Sequence, residues 1–194
     1  YQKTFGKRGV YLFAKVSSMN QNITNIEIKA RCADQESIRT ILQREKAEFR
    51  GVDHQIDTYF KVANGRLKLR EGTIENHLIF YDRKETKGLK ESSILLYDSK
   101  PGTTLKAILS KSLGVLAVVD KKREIYFIEN VKFHVDLVEG LGTFVEIEAI
   151  DDDGSIGKDR LLEQCEHYKQ KFGIRAGDLV AASYSDLILG KSED

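Results

Sequence analysis

The chain is 194 residues long and carries 31 lysines and arginines against 30 aspartates and glutamates, a formal net charge of +1. That length suits one sizeable domain, and the charge balance excludes the global basic excess of a non-specific nucleic-acid binder, so any anion site has to be local. The two cysteines, Cys32 and Cys165, fit no C-x-x-C or Cys/His spacing, which argues against zinc or a disulfide framework and for two buried free thiols in a reducing compartment. With no apolar run long enough to cross a membrane, a cytoplasmic protein is expected.

Residues 1–21 carry Lys3, Lys7 and Arg8 ahead of the apolar Val10 to Phe13. They read either as a targeting segment or, with Met19 just before the patterned region, as an expression leader, and are set apart from the folded unit. Residues 22–190 are then one domain and 191–194 a tail, because Pro101 is the only proline and no Gly/Ser-rich linker intervenes.

In chain order, Ile23 to Arg31 alternates, with Ile26, Ile28 and Ala30 on one face and Asn25, Glu27, Lys29 and Arg31 on the other, which predicts a strand. Asp34 is a helix N-cap, and Ile38, Ile41, Leu42 and Phe49 give a helical stripe over roughly residues 35 to 49, ended by Gly51. Strands are predicted for Gln55–Val62, Arg66–Thr73, His77–Lys87 and Ser92–Ser99, the first two joined through Ala63-Asn64-Gly65 as a hairpin. A helix follows Pro101 to about Leu113, then strands at Leu116–Ile128, Val131–Val138 and Thr143–Ile150. An amphipathic helix from Ser155 to Phe172 and a short one at Ser183–Leu189 complete the chain. Eight strands joined mostly by tight turns predict an α+β, mostly β fold: an antiparallel sheet rolled into an eight-stranded barrel with flanking helices.

The faces carry the functional signal. Arg66, Lys68 and Arg70 share one face of their strand with the leucines opposite; Val119, Lys121, Arg123 and Ile125 share another. Lys132, His134 and Asp136 stand opposite Val131, Phe133, Val135 and Leu137, and Phe144, Glu146 and Glu148 opposite Val145, Ile147 and Ala149. If the apolar faces pack against helices, the charged faces line the barrel. Glu27, Asp136, Glu146 and Glu148 then form a carboxylate cluster suited to Mg²⁺ or Mn²⁺, and Lys29, Arg66, Lys68, Arg70, Arg83, Lys121 and Arg123 a cationic lining suited to phosphate. The plainer reading is a set of half-solvated strands whose polar sides face water. His134 reads equally as a hydrogen-bonded interior histidine or a catalytic one. No G-x-x-x-x-G-K-[ST] loop or G-x-S-x-G elbow is present, so P-loop and triad chemistry have no support.

Taken together, from about Asn25 to Leu189, the segments resemble the CYTH family, the class IV adenylyl cyclases and thiamine triphosphatases within the triphosphate tunnel metalloenzymes. Asn25-Ile26-Glu27-Ile28-Lys29 is similar to the family's E-x-E-x-K strand, Gly65-Arg66-Leu67-Lys68-Leu69-Arg70-Glu71 to its basic motif, and Leu141-Gly142-Thr143-Phe144-Val145-Glu146-Ile147-Glu148 to its G-x-F-x-E-I-E signature. Val131 to Leu137 and Ser183-Tyr184-Ser185-Asp186-Leu187 also match, and the whole is closest to the cyclase-like branch. The resemblance implies a triphosphate tunnel in which Glu27, Glu146 and Glu148, with Asp136, hold Mg²⁺ or Mn²⁺. It implies that Lys29, Lys68, Arg70, Arg83 and Arg123, with Lys121, grip phosphates, Lys29, Arg70 and Arg123 serving catalysis. Asn25 departs from it, standing where the family motif begins with glutamate.

The expected partner is a small-molecule triphosphate rather than nucleic acid or membrane, and a homodimer is allowed. Three activities follow: metal-dependent hydrolysis of tripolyphosphate, thiamine triphosphate or a nucleoside triphosphate; a phosphate-ligand binding protein weakened by Asn25; or an adenylyl cyclase making cyclic AMP from ATP.

Overall fold

The computed structural model describes residues 23–84 and 90–191; the expected leader at 1–21 lies outside them. Its elements are β1 (Ile23–Arg31), α1 (Gln35–Arg44), β2 (Glu48–Phe60), β3 (Arg66–Gly72), β4 (His77–Lys84), β5 (Lys90–Asp98), α2 (Leu105–Leu113), β6 (Val115–Ile128), β7 (Val131–Val138), β8 (Gly142–Asp151), α3 (Lys158–Lys171) and α4 (Tyr184–Lys191). The strands close into a barrel in the order β1-β5-β4-β3-β2-β6-β7-β8, and β8 pairs back onto β1 from Thr24↔Asp151 to Arg31↔Phe144. Every pairing is antiparallel. Among the described residues, closure leaves no sheet edge to aggregate.

The alternation of β1, β7 and β8 decides which way the barrel faces. Ile26, Ile28, Ala30, Phe133, Val135, Val145 and Ile147 point outward into a core completed by Ile38 and Leu42 of α1, Leu161 and Cys165 of α3, and Phe172 at its C-terminal end. Their neighbours in sequence must therefore point inward. Cys165 is buried, as expected, with its thiol pushed up to about 12 by that burial; Cys32 is only half-buried.

The boundary between α1 and β2 differs most from the sequence reading. The first helix stops at Arg44, where Lys46 takes a left-handed φ of 58°, and Phe49 lies in β2. Phe49 fits the helical stripe by position alone. The long β6 captures residues 48–60 instead, with a register shift between Phe49 and Gly51, and Gly51 at φ 131° is a strand irregularity, not a helix stop. Pairing with a neighbouring strand overrides a local period.

The two ends of the barrel are finished differently. At one lie the β3–β4 turn, the β6–β7 turn and the end of β8. At the other, Val180 donates to the Lys29 carbonyl (2.9 Å), and α4 follows, seating Tyr184 against Phe144 with ring centroids 5.0 Å apart. No helix among the described residues is long and apolar enough to cross a membrane.

Candidate functional site in the barrel interior

The inward faces enclose a cavity of about 150 Å³. A water needs roughly 10–15 Å³ of such space, so the interior has room for several waters or a small solvated molecule rather than for a single ion alone. Among its described lining residues are six cations, Lys29, Lys68, Arg70, Lys121, Arg123 and Lys132, and six carboxylates, Glu27, Asp57, Glu75, Glu146, Glu148 and Asp152. The two signs are partly segregated, with Asp57 and Glu75 set among the cations and Lys29 beside Glu146. Strands β3 and β6 supply Lys68, Arg70, Lys121 and Arg123, while β1 and β8 supply Glu27, Glu146 and Glu148.

Asp57 on β2 organises the cationic wall. It accepts from Lys68 Nζ (3.0 Å), from Arg70 Nε (2.8 Å) and Nη2 (3.0 Å), and from Lys121 Nζ (2.8 Å). Burial works to raise its carboxyl, but Arg70, Lys121 and Lys68 outweigh that and hold it well below the usual range. Arg123 donates to Asp136 and, at 2.6 Å, to Glu146. Lys29 reaches the other Glu146 oxygen at 3.1 Å and lies 4.1 Å above the Tyr184 ring.

The expected phosphate set is thus mostly convergent. Lys29, Lys68, Arg70, Lys121 and Arg123 line one cavity. Arg66 does not join them: it is turned to the mouth, where Asp186 of α4 accepts from both its Nη atoms at 2.7 and 3.0 Å. The side chain of Arg83 lies outside the described residues.

The expected metal carboxylates divide in two. Glu27 and Glu148 face each other in register across β1 and β8 and line the cavity. Asp136 is fully buried and is spent on Arg123 and on the Tyr184 hydroxyl (2.8 Å). Glu146 is engaged by Lys29, Arg123 and His134. In this structure both are counter-ions to the cations, with the guanidinium of Arg123 donating to each. Among the described residues no group of three or more His, Cys, Asp or Glu side chains is arranged to hold a metal ion.

Asn25 bears directly on metal fit. Its Nδ2 donates to Glu148 Oε1, while its Oδ1 is buried without a hydrogen-bond partner. Glu27, Glu148 and that orphaned amide oxygen make a hard, oxygen-only set. Mg²⁺ and Mn²⁺ are commonly held by one or two carboxylates with phosphate oxygens and water filling the remaining positions. The residues fit a metal that arrives with a phosphate, not a self-contained protein cage.

His134 resolves in favour of a hydrogen-bonded interior residue that also lines the cavity. Its Nδ1 lies 3.0 Å from Glu146 Oε2. Arg123 and Lys29 outweigh burial to keep Glu146 ionised, so Glu146 can only accept and Nδ1 carries the proton. Nε2 is buried with no partner, and burial, aided by Arg123, lowers the ring's proton affinity.

Lys121 is pushed down to about 7 by burial first, with Arg70, Arg123 and Lys68 adding to it and Asp57 opposing. Unfolded, the amine titrates near 10.5. Between those values the unfolded chain holds the extra proton, so this group's penalty is present below pH about 7 and is relieved as pH rises toward 10.5. Urea titrations between those limits should accordingly give a shallower rise of unfolding free energy with pH for Lys121→Met than for wild type; equal slopes would remove Lys121 as the source.

Sequence reasoning missed Asp57 and Glu75. Asp57 had a usable signal, since Gln55, Asp57 and Tyr59 alternate onto the inner face of β2. Glu75 lies in a turn, where no periodicity speaks.

An eight-stranded, fully antiparallel tunnel with opposed acidic and basic walls is the class of protein these features define. Residues 24–184 match the CYTH domain model, and the chain belongs to the CYTH family. The PH1012 protein of Pyrococcus horikoshii is similar at 25% identity and a TM-score of 0.69, covering 84% of this chain and 98% of that one. HpAC1 from Hippeastrum, described as having a dominant triphosphatase activity, is 16% identical with a TM-score of 0.56, covering 88% of this chain and 96% of its own. A Vibrio parahaemolyticus protein described as an adenylate cyclase candidate shares the fold at 17% identity and a TM-score of 0.66, over 84% and 97% of the two chains. No curated protein matches.

Proposed function

We propose that the protein binds a small triphosphate together with Mg²⁺ or Mn²⁺ in the barrel and hydrolyses its terminal phosphate. The observation that carries this is the opposition of Glu27 and Glu148 to Lys68, Arg70, Lys121 and Arg123 across one cavity. Equal numbers of cations and carboxylates in the described lining make its net field weak, so a polyanion gains little until a divalent cation accompanies it. Glu27, Glu148 and Asn25 Oδ1 would hold that metal, which would neutralise charge on the phosphate oxygens during in-line attack. Arg70 and Arg123, fixed by Asp57 and by Asp136 with Glu146, are pre-oriented to donate to phosphate oxygens in place of carboxylate ones. Lys29 is held the same way by Glu146. Phosphate release from tripolyphosphate, thiamine triphosphate and nucleoside triphosphates, with each metal, tests the reading; background rates throughout would reject it.

A second reading, binding without turnover, has its own support. Asn25 brings no charge, and its amide occupies one oxygen of Glu148. Asn25→Glu replaces that hydrogen bond by a carboxylate beside a carboxylate. The variant should melt lower than wild type without metal and bind Mn²⁺ about tenfold more tightly, because added ligand charge tightens such sites. Unchanged Mn²⁺ affinity would place residue 25 outside the metal shell.

A further inference from the structure

The turn between β3 and β4 projects a carboxylate into the anion-binding cavity, and it is built not to move. Asp53 of β2, fully buried, accepts four hydrogen bonds: from Thr73 Oγ1 (2.9 Å), the amides of Ile74 (2.8 Å) and Glu75 (3.0 Å), and Gln55 Nε2 (2.7 Å). Asn76 clasps Gly72 in both directions, accepting from its amide (3.1 Å) and donating to its carbonyl (2.9 Å). The packing needs glycine there, since a Cβ on residue 72 would lie 2.6 Å from the Glu75 carbonyl and 2.7 Å from Asp53 Oδ1. The turn thereby directs Glu75 inward, its side chain 11% exposed, where Arg70 Nη1 (2.9 Å), Gln55 Nε2 (3.1 Å) and Lys132 Nζ donate to it.

Glu75 thus occupies donors that a phosphate would otherwise take, at the barrel end opposite α4. Burial works to raise its carboxyl, but Lys132 and Arg70 outweigh it and keep the group ionised. A phosphate chain running past Arg70 toward this end would set its oxygens against a fixed negative charge in a cavity with little screening. The Glu75 backbone cannot shift without breaking its hydrogen bond to Asp53, and its carboxylate cannot swing aside without giving up Arg70, Gln55 and Lys132.

We propose that Glu75 is a specificity-determining residue: a built-in anion that closes one end of the tunnel and restricts it to short oligophosphates. The inference rests on the triphosphate reading above. Isothermal titration with Mg²⁺ in excess, using inorganic triphosphate, tetraphosphate and long-chain polyphosphate against wild type and Glu75→Gln, tests it. Wild type should bind triphosphate at least about tenfold more tightly per chain than long-chain polyphosphate, and Glu75→Gln should recover about that factor for the long chain, the scale of a like-charge clash. Wild-type affinity that climbs steadily with chain length would overturn the proposal without recourse to any variant. So would a folded Glu75→Gln that binds the long chain no better than wild type. A wild-type protein that binds none of the three chains removes the triphosphate reading, and this inference with it.

Discussion

Asp57→Asn should lower the melting temperature by roughly 10 °C, the consequence of breaking a buried ion pair in a domain of this size. Asparagine keeps the shape and removes the charge. Lys68, Arg70 and Lys121 all donate to this one carboxylate, which is 1% exposed, so the variant takes from three cavity cations a shared counter-ion and leaves Arg70 with Glu75. The same loss makes the empty tunnel a stronger anion trap. Magnesium tripolyphosphate should therefore raise the melting temperature of Asp57→Asn by more than it raises that of wild type, because a ligand that binds only the folded state stabilises in proportion to its affinity. Thermal scans with and without the anion read both effects. A variant that melts with wild type and gains no more from the ligand would show that Asp57 does not organise the cations.

Glu148→Ala should act on turnover and leave the fold in place. Glu148 lines the cavity and is partly exposed, and the outer face of its strand, Val145, Ile147 and Ala149, carries the packing against α3. Removing it takes away half of the carboxylate pair set against the cations. Metal-dependent phosphate release should fall at least about a hundredfold, beyond the loss typical of groups that only support a metal ligand, with little change in melting temperature. Activity that persists in the folded variant would move the metal away from the acidic wall.

Much of this arrangement was legible in the sequence because a strand has a period of two. The bounds of β7 are those predicted, and the inward sets Asn25-Glu27-Lys29, Lys68-Arg70, Lys121-Arg123 and Glu146-Glu148 follow from alternation once the apolar faces are assigned to α1 and α3. The same rule places Asp57 inside, and it went unread because no neighbouring motif drew attention to β2. Pairing is a different matter. That Asp136 belongs to Arg123 and Tyr184, and Arg66 to Asp186, depends on register and on where α4 returns to the barrel, neither of which is encoded locally. Glu75 is further out of reach, since its position depends on a turn held down by a buried aspartate twenty-two residues earlier. The α1–β2 boundary misled because Phe49 satisfied a helical spacing that β6 then overruled.

In the proposed function one ligand is gripped from both walls at once, its phosphates by the cations and its metal by the carboxylates. Calorimetric titration of wild-type protein with tripolyphosphate, in the presence and absence of Mg²⁺, measures that coupling directly. Mg²⁺ should raise triphosphate affinity, triphosphate should raise Mg²⁺ affinity by the same factor as linkage requires, and Glu148→Ala should abolish both gains. Triphosphate affinity indifferent to Mg²⁺ would mean that the two walls do not share a ligand.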